Sequence, residues 1–343
     1  MKHMRVGAID IGSNSIRLLV ADLQDGEDRV LTTVSRAGES CRLGRDLGRT
    51  GMIEKALAER AAELTADFAK RARSLGATHT LAAATAALRS ANNGPETAAL
   101  ISERSGVAVR ILSGDEEARM VYGAVVLGLG AAARRSPCIV FDIGGGSTEV
   151  VSGLGLVPGR WTSLSFGAVS LTERFLLGNP PTRDEMDALC LHVQAEIMHH
   201  CASMPSMTPV LAGVGGTVTV LAMTDRVLSS YEPTLLEGWR IPQERLIALV
   251  DRLSRSTEDE RRRWPAMGEG RADIVIAGAL VVRSLMERFP STALVCSTQG
   301  LRYGLARLAA EESVALGAAA SASAETTAKA NFPVDPPSGA GGY

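Results

Sequence analysis

Two aspartates, Asp10 and Asp142, begin copies of one short motif whose residue types suit phosphate binding through a cation. Each copy is an apolar run, then Asp-Ile-Gly, two residues and Ser, and then a second apolar run. Glycines let a turn approach a ligand closely, and the N–H groups of a turn favour anions. An aspartate beside such a turn makes chemical sense when a cation lies between it and the phosphate. The repeat therefore predicts two similar domains that form a phosphate–metal clamp across a cleft.

Three glycine-bearing turns supply the predicted phosphate ligands. Two of them follow the aspartates, and the third joins a strand to an apolar helix, which places phosphate against a helix N-terminus. Taken singly, each is also typical of an ordinary hairpin or strand-to-helix turn, but their recurrence favours the functional interpretation. The candidate residues in the turns are Gly12, Ser13, Asn14, Ser15, Gly144, Gly145, Gly146, Ser147, Thr148, Gly215, Gly216 and Thr217.

Two further carboxylates are candidates for the chemistry. Glu149 follows Asp142 across the predicted hairpin turn, so both side chains can face one Mg²⁺ ion. Ser113 and Glu116 form a capping box, which places Glu117 in the first turn of a helix at the domain junction. A carboxylate there could take the proton from a water that attacks phosphorus, whereas an ordinary helix-dipole glutamate is the alternative.

Three arginines are candidates for contact with an anion. Arg89 follows a buried strand, where ligands of α/β proteins bind, and is a predicted phosphate ligand. Arg271 opens a helix, and it and Arg17 are predicted contacts for an anion or a nucleotide. The alternative for such residues is a solvated surface arginine.

Composition limits the classes of function. The hydrophobic fraction is 45% and the net charge is −2, so no basic field indicates a nucleic acid partner. No apolar run of membrane-spanning length and no secretory leader is evident, and five cysteines without a CxxC motif fit a reducing compartment, so we expect a cytoplasmic protein. One group on a predicted helix has metal-ligand types but would need ligands from elsewhere, and we interpret it as ordinary helix residues: Cys190, His192, His199 and Cys201.

The elements that must position these residues alternate between strand and helix, which predicts an α/β layered fold. The first half is predicted to contain a hairpin over 6–23, strands over 29–36, 78–84 and 107–112, and helices over 53–75, 95–104 and 116–129. The second half is predicted to contain a hairpin over 139–154, strands over 210–214 and 293–296, and helices over 183–201, 243–255, 271–288 and 300–310.

The predicted boundaries give domains over 1–130 and 131–312, with a last helix that can return to the first domain. Residues 313–343 are rich in Ala, Ser, Thr, Pro and Gly, which predicts a disordered tail.

The motifs, in this order, resemble those of the exopolyphosphatase and guanosine pentaphosphate phosphohydrolase (Ppx/GppA) family, in its short two-domain form. The matching stretches are AIDIGSNSIRLLVADL, TAALRSANN, ILSGDEEAR, VFDIGGGSTEVV, SLSFGAVSLTERF, AGVGGTVTVLA and GEGRADIVIAGALVV. The resemblance implies two ribonuclease-H-like domains of the actin and sugar-kinase type with a cleft between them. It also implies a homodimer and a site that uses Mg²⁺, with Mn²⁺ as a substitute.

The same resemblance implies roles for particular residues. Glu117 matches the catalytic base, Asp142 and Glu149 match metal-binding carboxylates, and Asp10 faces the same site. Many relatives carry a Ser-Asp pair near the C-terminus, whereas this chain has Ser297-Thr298-Gln299-Gly300 and offers no aspartate there.

The expected activity is Mg²⁺-dependent hydrolysis of the terminal phosphoanhydride of inorganic polyphosphate. Removal of the 5′-terminal phosphate of guanosine pentaphosphate is the alternative within the family, because both substrates end in a phosphoanhydride. A regulatory protein that binds guanosine tetra- or pentaphosphate with little turnover is the alternative from another class, and the retained Glu117, Asp142 and Glu149 argue against it.

Overall fold

A five-stranded sheet forms the centre of the first half of the chain. In the computed structural model, the described residues are 4–24, 31–206, 210–267 and 270–330. The strands are β1 (Met4–Ile11), β2 (Ser15–Leu23), β3 (Leu31–Ser40), β4 (His79–Ala84) and β5 (Val109–Ile111). Their order is β3-β2-β1-β4-β5, with β1 antiparallel to β2 and parallel to β4.

The helices of this half cover the sheet and lead out of it. They are α1 (Leu47–Thr50), α2 (Lys55–Ser74), α3 (Ala86–Ser90), α4 (Gly94–Ser105) and α5 (Gly114–Gly128). Helix α2 buries Leu64 and Phe68 in a hydrophobic core that it forms with the first sheet and α4, as the helical spacing predicts. The predicted capping box is confirmed at α5, where the N–H of Glu116 donates to Ser113 Oγ.

A second sheet of six strands repeats the opening of the first. The strands are β6 (Pro137–Ile143), β7 (Thr148–Leu154), β8 (Val157–Leu164), β9 (Val210–Val214), β10 (Arg240–Pro242) and β11 (Ala293–Cys296). Their order is β10-β11-β9-β6-β7-β8, and β6 is antiparallel to β7 and parallel to β9. The internal repeat predicted from the sequence is thus a repeat of structure.

The second half adds eight helices among the described residues. They are α6 (Ala168–Phe175), α7 (Arg183–His200), α8 (Gly216–Asp225), α9 (Pro233–Leu236), α10 (Gln243–Ser254), α11 (Glu258–Arg262), α12 (Val275–Arg288) and α13 (Leu301–Ala330). Strand β8 and helix α6 lack a clear sequence signal and were not among the predicted elements. Helix α12 begins at Val275 rather than 271, because Gly270 has a φ of 68° and turns precede the helix.

Two helices are exchanged between the halves. Helix α5 follows the first sheet but packs against β6, β7 and β8, while α13 follows the second sheet but packs against β1, β2 and β4. The two helices also pack on each other, and their tyrosines Tyr122 and Tyr303 belong to a core that lies between the sheets. This exchange connects the domains through a packed core rather than through linkers alone.

The end of the last helix corrects one prediction. Helix α13 continues to Ala330, so the predicted end of the last helix at 310 is wrong, while the predicted disorder of 313–343 stays a prediction. Alanine has the highest helix propensity, and no proline interrupts this stretch before Pro333. The rest of the predicted tail, 331–343, lies outside the described residues.

Candidate active site

The predicted site residues meet at the edge where β1, β6 and β9 end. Asp10 lies directly opposite Arg17 across the first hairpin, and Asp142 lies directly opposite Glu149 across the second. Opposed residues of an antiparallel pair project from the same face, so the predicted convergence of Asp142 and Glu149 is confirmed. The repeat is chemically unequal: the first hairpin offers a carboxylate and a guanidinium, whereas the second offers two carboxylates.

A small cavity of about 70 Å³ brings most of the predicted residues together. Its walls come from both hairpins, the start of α5, the third glycine turn and the segment before α12. The predicted residues that line it are Asp10, Gly12, Ser13, Asn14, Ser15, Arg17, Glu117, Asp142, Gly144, Gly145, Ser147, Glu149, Gly215, Gly216, Thr217 and Arg271. The two hairpin turns are in contact, since a Cβ at Gly145 would lie 3.0 Å from Ser13 Cβ.

Glu117, the predicted base, is buried and held by an arginine. Only 7% of the residue is exposed, and Arg89 Nη1 lies 2.8 Å from its Oε2. The same Arg89 nitrogen donates to the carbonyl of Leu112 at 2.9 Å, which fixes the guanidinium at the end of β5. Burial and the nearby Glu149 raise the pKa of Glu117 well above its usual value, while Arg89 opposes that rise.

Glu149 is the most buried of the carboxylates, with 1% of the residue exposed. Ser163 on β8 donates to its Oε1 at 2.8 Å, and Arg89 Nη2 lies 3.9 Å from the same oxygen. Burial raises the pKa of Glu149, and hydrogen bonds from Ser147 and Ser163 oppose the rise. Arg89 therefore connects the predicted base to a predicted metal ligand.

Asp142 and Asp10 complete the set of carboxylates. Burial, together with the charge of Glu149, raises the pKa of Asp142 to about 7, and burial also raises the pKa of Asp10. Buried carboxylates whose pKa values rise in this way lack a full complement of positive charge, which a bound cation would provide. The donor set fits Mg²⁺, which prefers oxygen ligands.

The carboxylates do not enclose a metal by themselves. Across the part of the chain that the structure describes, no three His, Cys, Asp or Glu side chains form a group that could hold an ion. The structure thus does not bring Asp10, Asp142 and Glu149 together as one three-carboxylate ligand set. Mg²⁺ commonly binds through one or two carboxylates plus substrate phosphates and waters, and Asp142 with Glu149 suits that pattern.

Each hairpin turn is held from its outer side. The carbonyl oxygens of Gly144 and Gly145 accept hydrogen bonds from the N–H groups that open α6. In the first turn, the carbonyl oxygens of Ser13 and Asn14 accept from backbone N–H groups of the segment 41–44. Because the C=O and N–H of a peptide unit point in opposite directions, the following N–H groups are directed away from these partners. This arrangement favours anion binding by the turns.

Two of the predicted phosphate ligands have another task. The N–H of Gly12 donates to the carbonyl of Ser15 at 3.1 Å, and the N–H of Gly144 donates to that of Ser147 at 3.0 Å. These equivalent bonds close the two turns, so Gly12 and Gly144 shape the turns rather than offer free N–H groups.

The third turn depends on glycine. Gly215 has a φ of 92°, and a Cβ there would lie 2.7 Å from Asp142 Oδ1. The guanidinium of Arg271 lies directly against Gly216, at the first turn of α8. The absence of side chains thus lets Asp142 and Arg271 approach the N-terminus of α8.

Arg17 and Arg271 lie near each other without ion-pair partners. Within the described residues, no carboxylate oxygen lies within 4.0 Å of either guanidinium. Burial and the charge of Arg17 lower the pKa of Arg271 to about 9. Two close cations that face a cavity favour an anionic ligand.

Three predicted phosphate ligands lie outside the small cavity. Thr148 is a correction: it is fully buried, and its Oγ1 donates to the carbonyl of Phe166 at 2.9 Å, so its hydroxyl holds the hairpin rather than a ligand. Gly146 lines a neighbouring cavity together with Ser13. Arg89 contacts Glu117 from behind the cavity wall, and its role as a phosphate ligand stays a prediction.

Sequence reasoning missed Ser163, because its partner Glu149 lies on another strand and no local pattern marks the pair. In and just after α7, His192 packs against Phe166 and Phe175, and Cys190 and Cys201 are buried; their interpretation as ordinary helix residues stays a prediction. Among the described residues, no helix is long and apolar enough to cross a membrane.

The fold and site define a class of protein: a two-domain α/β protein with duplicated glycine-bearing turns around buried carboxylates. Comparison with known proteins gives the family. The model of the Ppx/GppA phosphatase family matches residues 19–310, and the chain belongs to this family.

Relatives of known name cover nearly the whole chain. Exopolyphosphatase 2 of Mycobacterium tuberculosis is 32% identical over 317 residues, which cover 89% of this chain and 98% of that protein. Exopolyphosphatase 1 of Mycobacterium bovis is 32% identical over 308 residues, which cover 88% and 87%. The crystal structure of the Ppx/GppA family member of Aquifex aeolicus matches with a TM-score of 0.76 and 29% identity, covering 90% of this chain and 98% of that one.

Proposed function

We propose that the protein is a Mg²⁺-dependent exopolyphosphatase. The substrate would be inorganic polyphosphate, and the terminal phosphoanhydride would be hydrolysed to release orthophosphate. One observation carries the proposal most directly: a buried carboxylate, Glu117, lines the same small cavity as the two glycine-bearing hairpin turns. The names of the mycobacterial relatives support the choice of polyphosphate.

Glu117 would act as the general base. A water oxygen attacks the terminal phosphorus, Glu117 takes one proton from that water, and the bond between phosphorus and the bridging oxygen breaks. The products are orthophosphate and a chain shorter by one unit. A carboxylate must be ionised to accept the proton, and the ion pair with Arg89 favours that form. A raised pKa strengthens it as a base once it is ionised.

The remaining residues would position the substrate. N–H groups of the hairpin turns and the guanidinium groups of Arg17 and Arg271 would bind phosphoryl oxygens. Asp142 and Glu149 would hold Mg²⁺, which neutralises phosphoryl oxygens when it is bound. Positioning and electrostatics dominate catalysis of phosphoryl transfer, so most of the rate would come from this preformed arrangement.

A second candidate substrate is guanosine pentaphosphate, and one observation favours it. A cavity of about 510 Å³ adjoins the small one, and apolar side chains of Val220, Met223 and Met267 line part of it together with Tyr231. An apolar wall beside cationic groups suits a nucleoside attached to phosphates.

The test compares the two substrates directly. Phosphate release from polyphosphate and from guanosine pentaphosphate is measured side by side, with Mg²⁺, with Mn²⁺ and with a chelator. The proposal expects release from polyphosphate at the higher kcat/KM, and only with a divalent cation. Preference for the nucleotide would favour the second candidate. Tight nucleotide binding without release from either substrate would indicate a regulatory protein instead.

A further inference from the structure

The small cavity adjoins two larger cavities, which share different lining residues with it. The cavity of about 510 Å³ shares Asp10, Arg17, Asp142 and Arg271 with it, and we call this the arginine cavity. The other, of about 790 Å³, shares Ser13 and Gly145 and also includes Arg49 and Arg174; we call it the outer cavity. These are the two adjoining spaces into which a substrate longer than one phosphate can extend from the small cavity.

The two cavities differ in charge. The arginine cavity has four guanidinium groups, from Arg17, Arg36, Arg271 and Arg302, against the carboxylates of Asp10 and Asp142. The outer cavity has two cations and two carboxylates.

The outer cations are already engaged. Arg49 lies 3.4 Å from the carboxylate of Asp46, and Arg174 lies over the ring of Phe175. The other outer carboxylate is Glu173, so the outer cavity has no excess of positive charge. Only the arginine cavity offers a surplus of cations to a polyanion.

Arg36 is held in the arginine cavity by uncharged partners. Its Nε donates to the hydroxyl of Tyr303 at 3.1 Å, and its Nη2 donates to Thr33 Oγ1 at 3.1 Å. Tyr303 is 2% exposed and belongs to the core between the sheets, so its hydroxyl group is held in a fixed position. These bonds orient the guanidinium and leave its charge without a carboxylate among the described residues.

Arg302 is the neighbour of Tyr303 on α13. Its Nη1 lies 3.4 Å from the carbonyl of Leu18, and no carboxylate oxygen of the described residues lies within 4.0 Å of its guanidinium. Burial and the charge of Arg17 lower its pKa to about 10. Charged groups that repel each other in a cavity carry an electrostatic cost, which a bound polyanion would relieve.

We propose that the phosphoryl groups behind the terminal one lie in the arginine cavity, where Arg36 and Arg302 bind them and set the preference for long chains. This inference rests on the proposed hydrolysis of a terminal phosphoanhydride. The ligand chemistry is a run of linked phosphoryl groups, which either inorganic polyphosphate or the phosphates of a nucleotide supply.

The test measures chain-length preference in matched variants. Arg36→Gln and Arg302→Gln are compared with Arg49→Gln and Arg174→Gln, which remove a cation from the outer cavity. For each, kcat/KM is measured for tripolyphosphate, long polyphosphate and guanosine pentaphosphate. The long-to-short ratio should fall roughly tenfold in Arg36→Gln and Arg302→Gln, the effect of losing a charge-assisted hydrogen bond, and stay unchanged in the outer variants. Arg302→Lys keeps the charge and should restore part of the ratio even if Arg302→Gln folds poorly.

The outcomes separate this inference from the proposed function. An unchanged ratio in Arg36→Gln and Arg302→Gln, in an enzyme that hydrolyses polyphosphate, would overturn the inference alone. A fall confined to Arg49→Gln and Arg174→Gln would place the chain in the outer cavity instead. A loss seen only with guanosine pentaphosphate would assign the arginine cavity to the nucleotide. No release from any polyphosphate by the unaltered chain would overturn the proposed function itself.

Discussion

Glu116 and Glu117 are neighbours in the first turn of α5, but their side chains have different partners. Glu116 is half-exposed and accepts hydrogen bonds from the N–H and hydroxyl of Ser113, whereas Glu117 enters the cavity beside Arg89. We expect Glu117→Gln to keep the fold and lower kcat by roughly 100-fold or more, because the amide cannot accept the proton. Phosphate release and the melting temperature are the measurements.

The matched control for that variant is Glu116→Gln. A glutamine can keep the capping box, so turnover and melting temperature should change little. Turnover near that of the unaltered chain in a folded Glu117→Gln protein would remove Glu117 from the mechanism.

Asp142 and Glu149 should control the response to Mg²⁺. We expect Asp142→Asn and Glu149→Gln each to raise the Mg²⁺ concentration needed for half-maximal activity, since each removes an anionic oxygen donor. Burial raises the folded-state pKa of Asp142 to about 7, so ionisation of this carboxyl near neutral pH lowers the free energy of unfolding. Asp142→Asn removes that charge and should therefore not lower the melting temperature when Mg²⁺ is absent. Asp187→Asn, on the exposed face of α7, is the control for loss of a charge. Identical Mg²⁺ titrations in all three variants would place the metal elsewhere.

At the scale of elements, the third glycine turn allows a sharp comparison. Gly215 and Gly130 both have positive φ, at 92° and 80°, but only Gly215 lies against Asp142, while a Cβ at Gly130 would meet nothing within 4 Å. A Cβ at positive φ costs about 1–2 kcal/mol, and Gly215→Ala should lose more stability than Gly130→Ala, because a φ of 92° with a ψ of 177° is essentially restricted to glycine and the Cβ would also lie 2.9 Å from the carbonyl oxygen of Ile143. Only Gly215→Ala should also lose most of its kcat, because its Cβ displaces the Asp142 carboxylate. Equal activity losses in the two variants would show that the turn acts through stability alone.

The elements also show what the sequence could predict and what it could not. The hairpins, the cap of α5 and the pairing of Asp142 with Glu149 depend on residues within about ten positions of each other, so periodicity and turn residues indicate them. Contacts between separate elements determine three other features: the Ser163–Glu149 hydrogen bond, the Arg89–Glu117 ion pair and the position of Arg302. Local patterns carry no information about those contacts. Helix α13 extends beyond the predicted 300–310, because the Ala-, Ser- and Thr-rich composition that predicts a disordered tail also includes many alanines, which favour helix.

At the scale of the whole molecule, contacts across the cleft hold the two domains together. Arg42 follows β3, and its Nη2 lies 3.0 Å from Oδ2 of Asp273, which precedes α12 in the second domain. Asn14 Nδ2 in the first domain donates to the carbonyl of Gly270 in the second at 3.4 Å. The two hairpin turns come from different domains and are in contact, so the structure describes a closed cleft, which would have to open to admit or release a chain. We expect the domains to open and close about the start of α5 and the segment near Gly300, with ligand favouring the closed form.

The ion pair gives a way to test this motion. Arg42→Gln removes a partly exposed pair worth at most about 1 kcal/mol, which shifts the open-to-closed ratio by at most about fivefold. The radius of gyration from small-angle scattering should therefore fall further on binding a non-hydrolysable polyphosphate analogue with Mg²⁺ in Arg42→Gln than in the unaltered chain. KM should rise more than kcat falls, because closure is needed before the chemical step. Arg60→Gln breaks a pair within α2 and should change neither quantity. If the radius of gyration stays constant in both variants while binding is confirmed, the cleft is preformed and the Arg42–Asp273 pair does not control closure.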